Sequence, residues 1–233
     1  MRAIDTVLEA LTAISENDNQ LPQTWLQQVD SYEAGDMGLA KVDLALLLHV
    51  IERTAPCKLL EIGAGNSTPL LFGRNKNGLN ISLEDNPEWV EKVDSRLEYG
   101  SGTVISYSNE AVQHESVLPY RYDWKAQVKR IAGYSEEDLQ VKDLRLLQKR
   151  VLIPDWLWSI SFDIILVDGP FGGNWESHGR SGTTMLASKL SEPTGIIFID
   201  DVPSRPHEMQ NITTFFAGRY LYTSPSQRLI IAI

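Results

Sequence analysis

Acidic side chains stand at or near the ends of four separate apolar runs: Glu61 in KLLEI, Glu84 in LNISLE, Asp168 after FDIILV, and the pair Asp200 and Asp201 after GIIFI. Short apolar runs bounded by turn residues read as buried strands. In an open parallel sheet, ligands bind beyond the carboxyl ends of the strands, so acids repeated there mark that edge as a site. A carboxylate in such a place can accept hydrogen bonds from ribose hydroxyls or take a proton from a reacting group. Glu84 is spaced from the first run as a ribose-binding carboxylate should be.

The first run leads into a glycine turn, so that residues 58–68 read KLLEIGAGNST. Gly63 and Gly65 permit a sharp bend and leave no side chain to hold a ligand off the backbone. Asn66 lies in the turn, and Ser67 or Thr68 can cap the helix that follows, whose free N–H groups then face the ligand. A dinucleotide fingerprint would place a third glycine where Thr68 stands. Glu61 would repel a pyrophosphate and attract an ammonium group. The pattern favours S-adenosylmethionine, which carries a sulfonium and an amino group and no phosphate, over a nicotinamide dinucleotide. Asp85, beside Glu84, joins the cofactor-binding candidates, with Asp85 or Asn86 also able to cap the next helix. Ser108 and Asn109, after the third strand, can meet an adenine edge.

These residues need a scaffold, and the hydrophobic periodicity supplies one. Helical spacing is expected over residues 3–15, from Pro22 to Val29, and over residues 39–52, where His49 reads as a packed helix residue. Strands then alternate with helices: a strand at 58–62, a helix at 67–74, a strand closing at Glu84, a helix from Pro87 to about Tyr99, and the strand TVISY. After the fourth strand come a loop at 171–182, the helix TTMLASKL, the strand GIIFI, a helix from His207 to Ala217, and an antiparallel hairpin around Pro225. The alternation implies a doubly wound, largely parallel α/β sheet, with the terminal hairpin making it a seven-stranded mixed sheet. Residues 109–160 break the rhythm and read as a helical insertion, with helices near 123–131 and 135–150; Trp156 and Trp158 read as core. The whole chain, 1–233, is expected to form a single domain, with N-terminal helices over 1–57.

Composition narrows the function classes. A net charge of −10 argues against general nucleic-acid binding, which needs basic surface. The single cysteine, Cys57, excludes an internal disulfide and reads as a small buried hydrophobe. The N-terminal stretch lacks a signal-peptide core, and no stretch is apolar enough to span a membrane, so no membrane partner and a cytoplasmic location are expected.

Taken together, APCKLLEIGAGNST, ISLEDNPEWV, FDIILVDGP, Gly179–Arg180 and IIFIDDV resemble a class I S-adenosylmethionine-dependent methyltransferase with a Rossmann-like fold. More narrowly they resemble the glucuronoxylan 4-O-methyltransferase family and its polysaccharide-biosynthesis relatives, over about residues 37–216. That resemblance implies methyl transfer from S-adenosylmethionine to a hydroxyl of a carbohydrate, uronic-acid-containing or otherwise, or of a related small molecule. Asp168 is then the leading base, Asp201 an orienting group, His178 and His207 further candidates, and Arg180 a clamp for a uronate carboxylate. The loop at 171–182 is expected to be a lid, with Trp175 stacking on a sugar face and Arg205 and Glu208 at the acceptor rim. The Asp-Asp ending of the fifth strand also resembles metal-dependent O-methyltransferases of phenols and natural products. That second resemblance implies Mg²⁺ or another divalent cation on Asp168, Asp200 and Asp201. A non-catalytic binding module that kept the fold is the remaining alternative. Oligomeric state is not legible.

Overall fold

The computed structural model describes residues 2–34, 38–111, 149–169, 180–202, 212 and 215–233. Its centre is β1 (Lys58–Ile62), whose last four residues are buried. It pairs in parallel with β2 (Leu79–Glu84) on one side and β6 (Phe162–Val167) on the other. The seven-stranded sheet runs β3-β2-β1-β6-β7-β9-β8, where β3 is Thr103–Ser106, β7 Ser191–Ile199, β8 Leu221–Thr223 and β9 Ile230–Ala232. Strands β1, β2, β3, β6 and β7 are parallel, while β9 runs antiparallel to both β7 and β8. This is the doubly wound mixed sheet expected from the sequence, closed by the expected terminal hairpin. From β1 the chain builds outward through β2 to β3, then returns to the far side of β1 as β6. The order therefore reverses between β1 and β6, where such sheets leave a crevice at their carboxyl edge.

Period-two alternation divides the strand residues between two cores. Leu59, Ile164, Leu166, Ile196 and Phe198 pack with α1 (Ala3–Glu16) and α3 (Lys41–Thr54) on one face. Leu60, Ile62, Ile165, Val167, Ile197 and Ile199 pack on the other with α6 (Ser181–Leu190), through Leu186, Ala187 and Leu190. Helix α3 is covered on nearly all sides because it lies under both α1 and α4 (Thr68–Arg74). Its His49 stacks on Trp25 with ring centroids 3.7 Å apart, in keeping with a packed histidine. Trp25 belongs to α2 (Gln23–Leu26), which continues as a 3-10 turn to Val29.

The expected insertion has a different base from the one its sequence suggests. Lys149 and Arg150, expected to end a helix, belong instead to β5 (Lys149–Leu152), antiparallel to β4 (Ser108–Ala111). The polar strands SNEA and KRVL lack the apolar alternation that marks strands elsewhere. Helices near 123–131 and 135–148 fall outside the described residues. Trp156 is half exposed rather than core; Leu157 is the buried member of its 3-10 turn. Helix α5 (Pro87–Asp94) stops before Tyr99, which is fully exposed. Among the described residues no helix is long and apolar enough to cross a membrane.

Candidate functional site

Strand register lines the candidate residues along one edge. Ile62 pairs with Leu83 and with Val167, and Val167 pairs with Ile199. The next residues in each strand, Gly63, Glu84, Asp168 and Asp200, therefore form one row across four adjacent strands. Glu61 is not in that row. It lies within β1, its Cα opposite Ser82, on the face shared with Leu59.

The turn after β1 is built around the Glu61 carboxylate. Ser67 Oγ donates to Oε1 at 3.1 Å, while Thr68 Oγ1 and Ser82 Oγ donate to Oε2 at 2.6 and 2.7 Å. The Gly65 N–H donates to Thr68 Oγ1 at 2.8 Å, completing the loop. Glu61 is fully buried, and burial pushes its pKa up to about 7 despite the three hydroxyls. Two expectations change as a result. Glu61 holds the turn from within rather than presenting its charge to a ligand. Ser67 and Thr68 do not cap α4 with their side chains, because both hydroxyls are committed to Glu61.

The two glycines serve different purposes. Gly63 has φ +102°, and a Cβ there would sit 2.5 Å from the Gly169 nitrogen. The ends of β1 and β6 thus touch backbone to backbone, with the Asp168 and Gly169 N–H groups both donating to the Ile62 carbonyl. At Gly65 the nearest atom to a Cβ among the described residues is Ser67 Oγ at 3.9 Å, so no described neighbour requires glycine there. The open space suits close approach of a ligand to the backbone. Asn66 is exposed; its amide donates to the Glu33 carbonyl at 3.2 Å, and its Oδ1 accepts from Arg96 at 2.8 Å.

Glu84 closes β2 as a buried residue, 7% exposed. Oε1 accepts from the Asn86 N–H at 3.0 Å. Burial raises its pKa to about 7, the Asn86 N–H opposing and the Asp85 charge reinforcing the shift. Asn86, not Asp85, caps α5 by accepting from the Glu88 N–H. Ser108 and Asn109 lie in β4, paired with Leu152 and Val151, so they form the base of the insertion immediately after β3.

Beyond β6 and β7 the acids surround a guanidinium. Arg180 is buried. Its Nη2 donates to the Asp168 carbonyl at 2.9 Å and stands 3.5 Å from Asp168 Oδ1 and 3.7 Å from Asp201 Oδ2. Its Nη1 donates to the Asp200 carbonyl and lies 3.9 Å from Asp200 Oδ2. Burial raises the pKa of Asp168 well above the usual carboxylate range, with Arg180 opposing and the Asp200 and Glu61 charges adding to the rise. Burial and the neighbouring Asp201 raise Asp200 as well. Asp168 and Asp200 are near enough for each to shift the titration of the other. Asp201 has φ +61° and is gripped by Arg228, whose Nη2 lies 2.7 Å from Oδ1.

This arrangement corrects two further expectations. Arg180 is an internal counter-ion to the strand-end acids, not an exposed clamp for an acceptor. The three aspartates do not fit a metal centre, because guanidinium groups take the positions between them. Among the described residues no group of three His, Cys, Asp or Glu side chains is placed to hold a metal ion. His178, Trp175, His207, Arg205 and Glu208 lie outside the described residues, as does most of the expected lid. Its last two residues, Ser181 and Gly182, already belong to α6.

Two residues join the site without a local sequence signal. Arg228 reaches it from the turn of the β8–β9 hairpin. Tyr32 reaches it from the N-terminal segment; burial, followed by the charges of Asp168, Glu61 and Asp200, pushes its hydroxyl up to about 12. Both are far in sequence from the strands they serve, and only the antiparallel β9 pairing could have hinted at Arg228.

Similarity to known proteins can be set against this geometry. A family model described as IRX15/IRX15L/GXM matches residues 42–225. Glucuronoxylan 4-O-methyltransferase 3 of Arabidopsis thaliana is 22% identical over 202 residues, covering 80% of this chain and 64% of that protein. Arabinogalactan O-methyltransferase 2 of the same plant is 24% identical over 202 residues, covering 78% of this chain and 62% of that protein. The chain thus spans less than two thirds of the length of these relatives. Among solved structures, a precorrin-6y C5,15-methyltransferase from Geobacter metallireducens GS-15 aligns with a TM-score of 0.48 at 14% identity, over 88% of this chain and 94% of that one.

Proposed function

The chain belongs to the IRX15/IRX15L/GXM family, and on that premise we propose that it is an S-adenosylmethionine-dependent O-methyltransferase whose acceptor is a carbohydrate hydroxyl. The observation that carries this reading is the row Gly63, Glu84, Asp168 and Asp200 along one sheet edge, beside a turn whose Gly65 has open space where a side chain would be. The names of two similar proteins, one a glucuronoxylan and one an arabinogalactan methyltransferase, favour a polysaccharide acceptor.

Bound at this edge, S-adenosylmethionine supplies an electrophilic methyl group. The work left to the protein is largely positioning, for which effective molarities can reach about 10⁵ M or more. Gly65 lets the ligand approach the backbone. Glu84 has one oxygen on the Asn86 N–H, and we assign its other oxygen to the ribose hydroxyls. A sugar hydroxyl is a weak acid and needs a base. We assign that task to Asp168, whose Oδ1 is buried without a hydrogen-bond partner among the described residues. Burial, opposed by Arg180, raises its pKa above the usual carboxylate range, which makes it a stronger proton acceptor than an exposed aspartate. Arg180 and Arg228 hold the neighbouring acids in place. Two arginines already stand among the three aspartates, so the reading invokes no divalent cation, and turnover should persist after exhaustive chelation.

The test is calorimetry with S-adenosylhomocysteine, followed by labelled-methyl transfer to uronic-acid oligosaccharides and arabinogalactan fragments. Glu84→Ala should weaken S-adenosylhomocysteine binding by about ten-fold or more. Asp168→Asn should lower turnover by about a hundred-fold while leaving that affinity within about three-fold. Failure of the unaltered chain to bind the nucleoside would end the reading. Unchanged turnover in Asp168→Asn would remove Asp168 as base.

A further inference from the structure

The stretch before α3 lies outside residues 42–225, the part matched by the family model, yet it is laid directly on the glycine turn. The Glu33 carbonyl accepts from the turn residue Asn66 at 3.2 Å, and the Asp30 carbonyl accepts from Lys41 Nζ at 2.9 Å. Between these two anchors, Tyr32 enters the core on the sheet face that holds Leu59, the face shared by Glu61. Its hydroxyl packs so closely on Gly38 that a Cβ there would sit 2.8 Å from it. Tyr32 is 5% exposed, but its hydroxyl finds no hydrogen-bond partner among the described residues.

Folded proteins seldom leave a buried donor in that state, and each such group calls for a partner supplied from elsewhere. The nearby strand ends show the opposite want. Asp168 Oδ1 and both Asp200 carboxylate oxygens are buried and receive no hydrogen bond from a described residue. A ligand that satisfies both sides must carry an acceptor for the phenol and a positive group for the acidic edge. The zwitterionic amino-acid end of an S-adenosyl nucleoside has both. Arg180 already serves the Asp168 and Asp200 carbonyls and Arg228 the Asp201 carboxylate, which leaves the neutral phenol for the ligand carboxylate.

We infer that Tyr32 is a ligand-binding residue: its hydroxyl donates to the carboxylate at the amino-acid end of the S-adenosyl ligand. The N-terminal segment is then part of the binding site rather than a cover for the sheet. This inference rests on the proposed function and adds to it the residue that reads the amino-acid end. Burial and the surrounding acids keep the phenol protonated, as a donor must be.

Tyr32→Phe in the full chain tests it, with calorimetry against two probes. S-adenosylhomocysteine has the amino-acid end; 5′-methylthioadenosine has the same nucleoside and sulfur without it. The variant should lose about ten-fold or more in affinity for the first and change by less than about two-fold for the second. The unliganded variant should melt no lower than the parent, because the deleted hydroxyl had no partner to lose. Unchanged S-adenosylhomocysteine affinity, equal losses for both probes, or a lower melting temperature of the unliganded variant would each overturn the assignment of Tyr32. If the parent chain bound neither probe, the proposed function would fall, and this inference with it. A parent that binds S-adenosylhomocysteine and an indifferent Tyr32→Phe would remove Tyr32 alone.

Discussion

Glu61 shows how one buried carboxylate ties the turn to pH. Its pKa in the folded chain is about 7, against about 4.3 for an exposed glutamate, with burial as the cause. The folded state therefore holds this proton more tightly than the unfolded chain does. The stability it contributes is complete below about pH 4 and is lost as the pH rises through about 7, an effect on the order of 3 kcal/mol at its upper limit. Glu84, also near 7, acts in the same direction. The urea midpoint should accordingly fall between about pH 5 and pH 8, and Glu61→Gln should flatten that fall. A variant whose midpoint declined as steeply as the parent's would show that Glu61 does not titrate in this range. Glu61 was legible as a site acid because it sits beside a glycine turn. That its charge points inward was not, since Ser82, one of its three partners, is brought opposite only by the pairing of β1 with β2.

The turn as an element separates packing from ligand contact. Gly63→Ala would drive a methyl group into the Gly169 backbone at a positive φ, and should destabilise the fold by about 2 kcal/mol or more. Gly65→Ala meets nothing closer than 3.9 Å among the described residues, so its stability should stay within about 1 kcal/mol of the parent while S-adenosylhomocysteine affinity drops. Urea unfolding and calorimetry on the same two variants decide the matter; full affinity in Gly65→Ala would mean that no ligand passes there. The five parallel strands could be read from apolar runs and the turns between them, because burial on both faces forces such runs. Strands β4 and β5 could not, being polar and held by each other rather than by the main sheet. Arg180 was legible as a candidate site residue, but its burial was not. It follows Gly179 directly in a glycine-containing loop, which reads as a ligand contact, and only the convergence of the β6 and β7 ends buries it among acids.

At the scale of the molecule, function gathers where distant parts meet: Tyr32 from the first helical layer, the row of strand ends, and Arg228 from the last hairpin. The preference for an S-adenosyl ligand followed from the acids and glycines, and methyl transfer from the family resemblance, whereas these two outlying contributors required the three-dimensional arrangement. The short ribbon of β4 and β5 has a consequence of its own. By pairing Ala111 with Lys149, it brings the chain out to residue 112 and back from residue 148 through neighbouring positions. The chain ends on either side of 112–148 therefore stand side by side, like the jambs of one doorway. Replacing 112–148 with a two-residue Asn-Gly link, suited to a tight reversal, should leave the nucleoside affinity within about three-fold. Collapse of nucleoside binding in that graft would show the doorway to be a supporting beam. Survival would make nucleoside binding a property of the sheet alone, separable from whatever is strung across that gap.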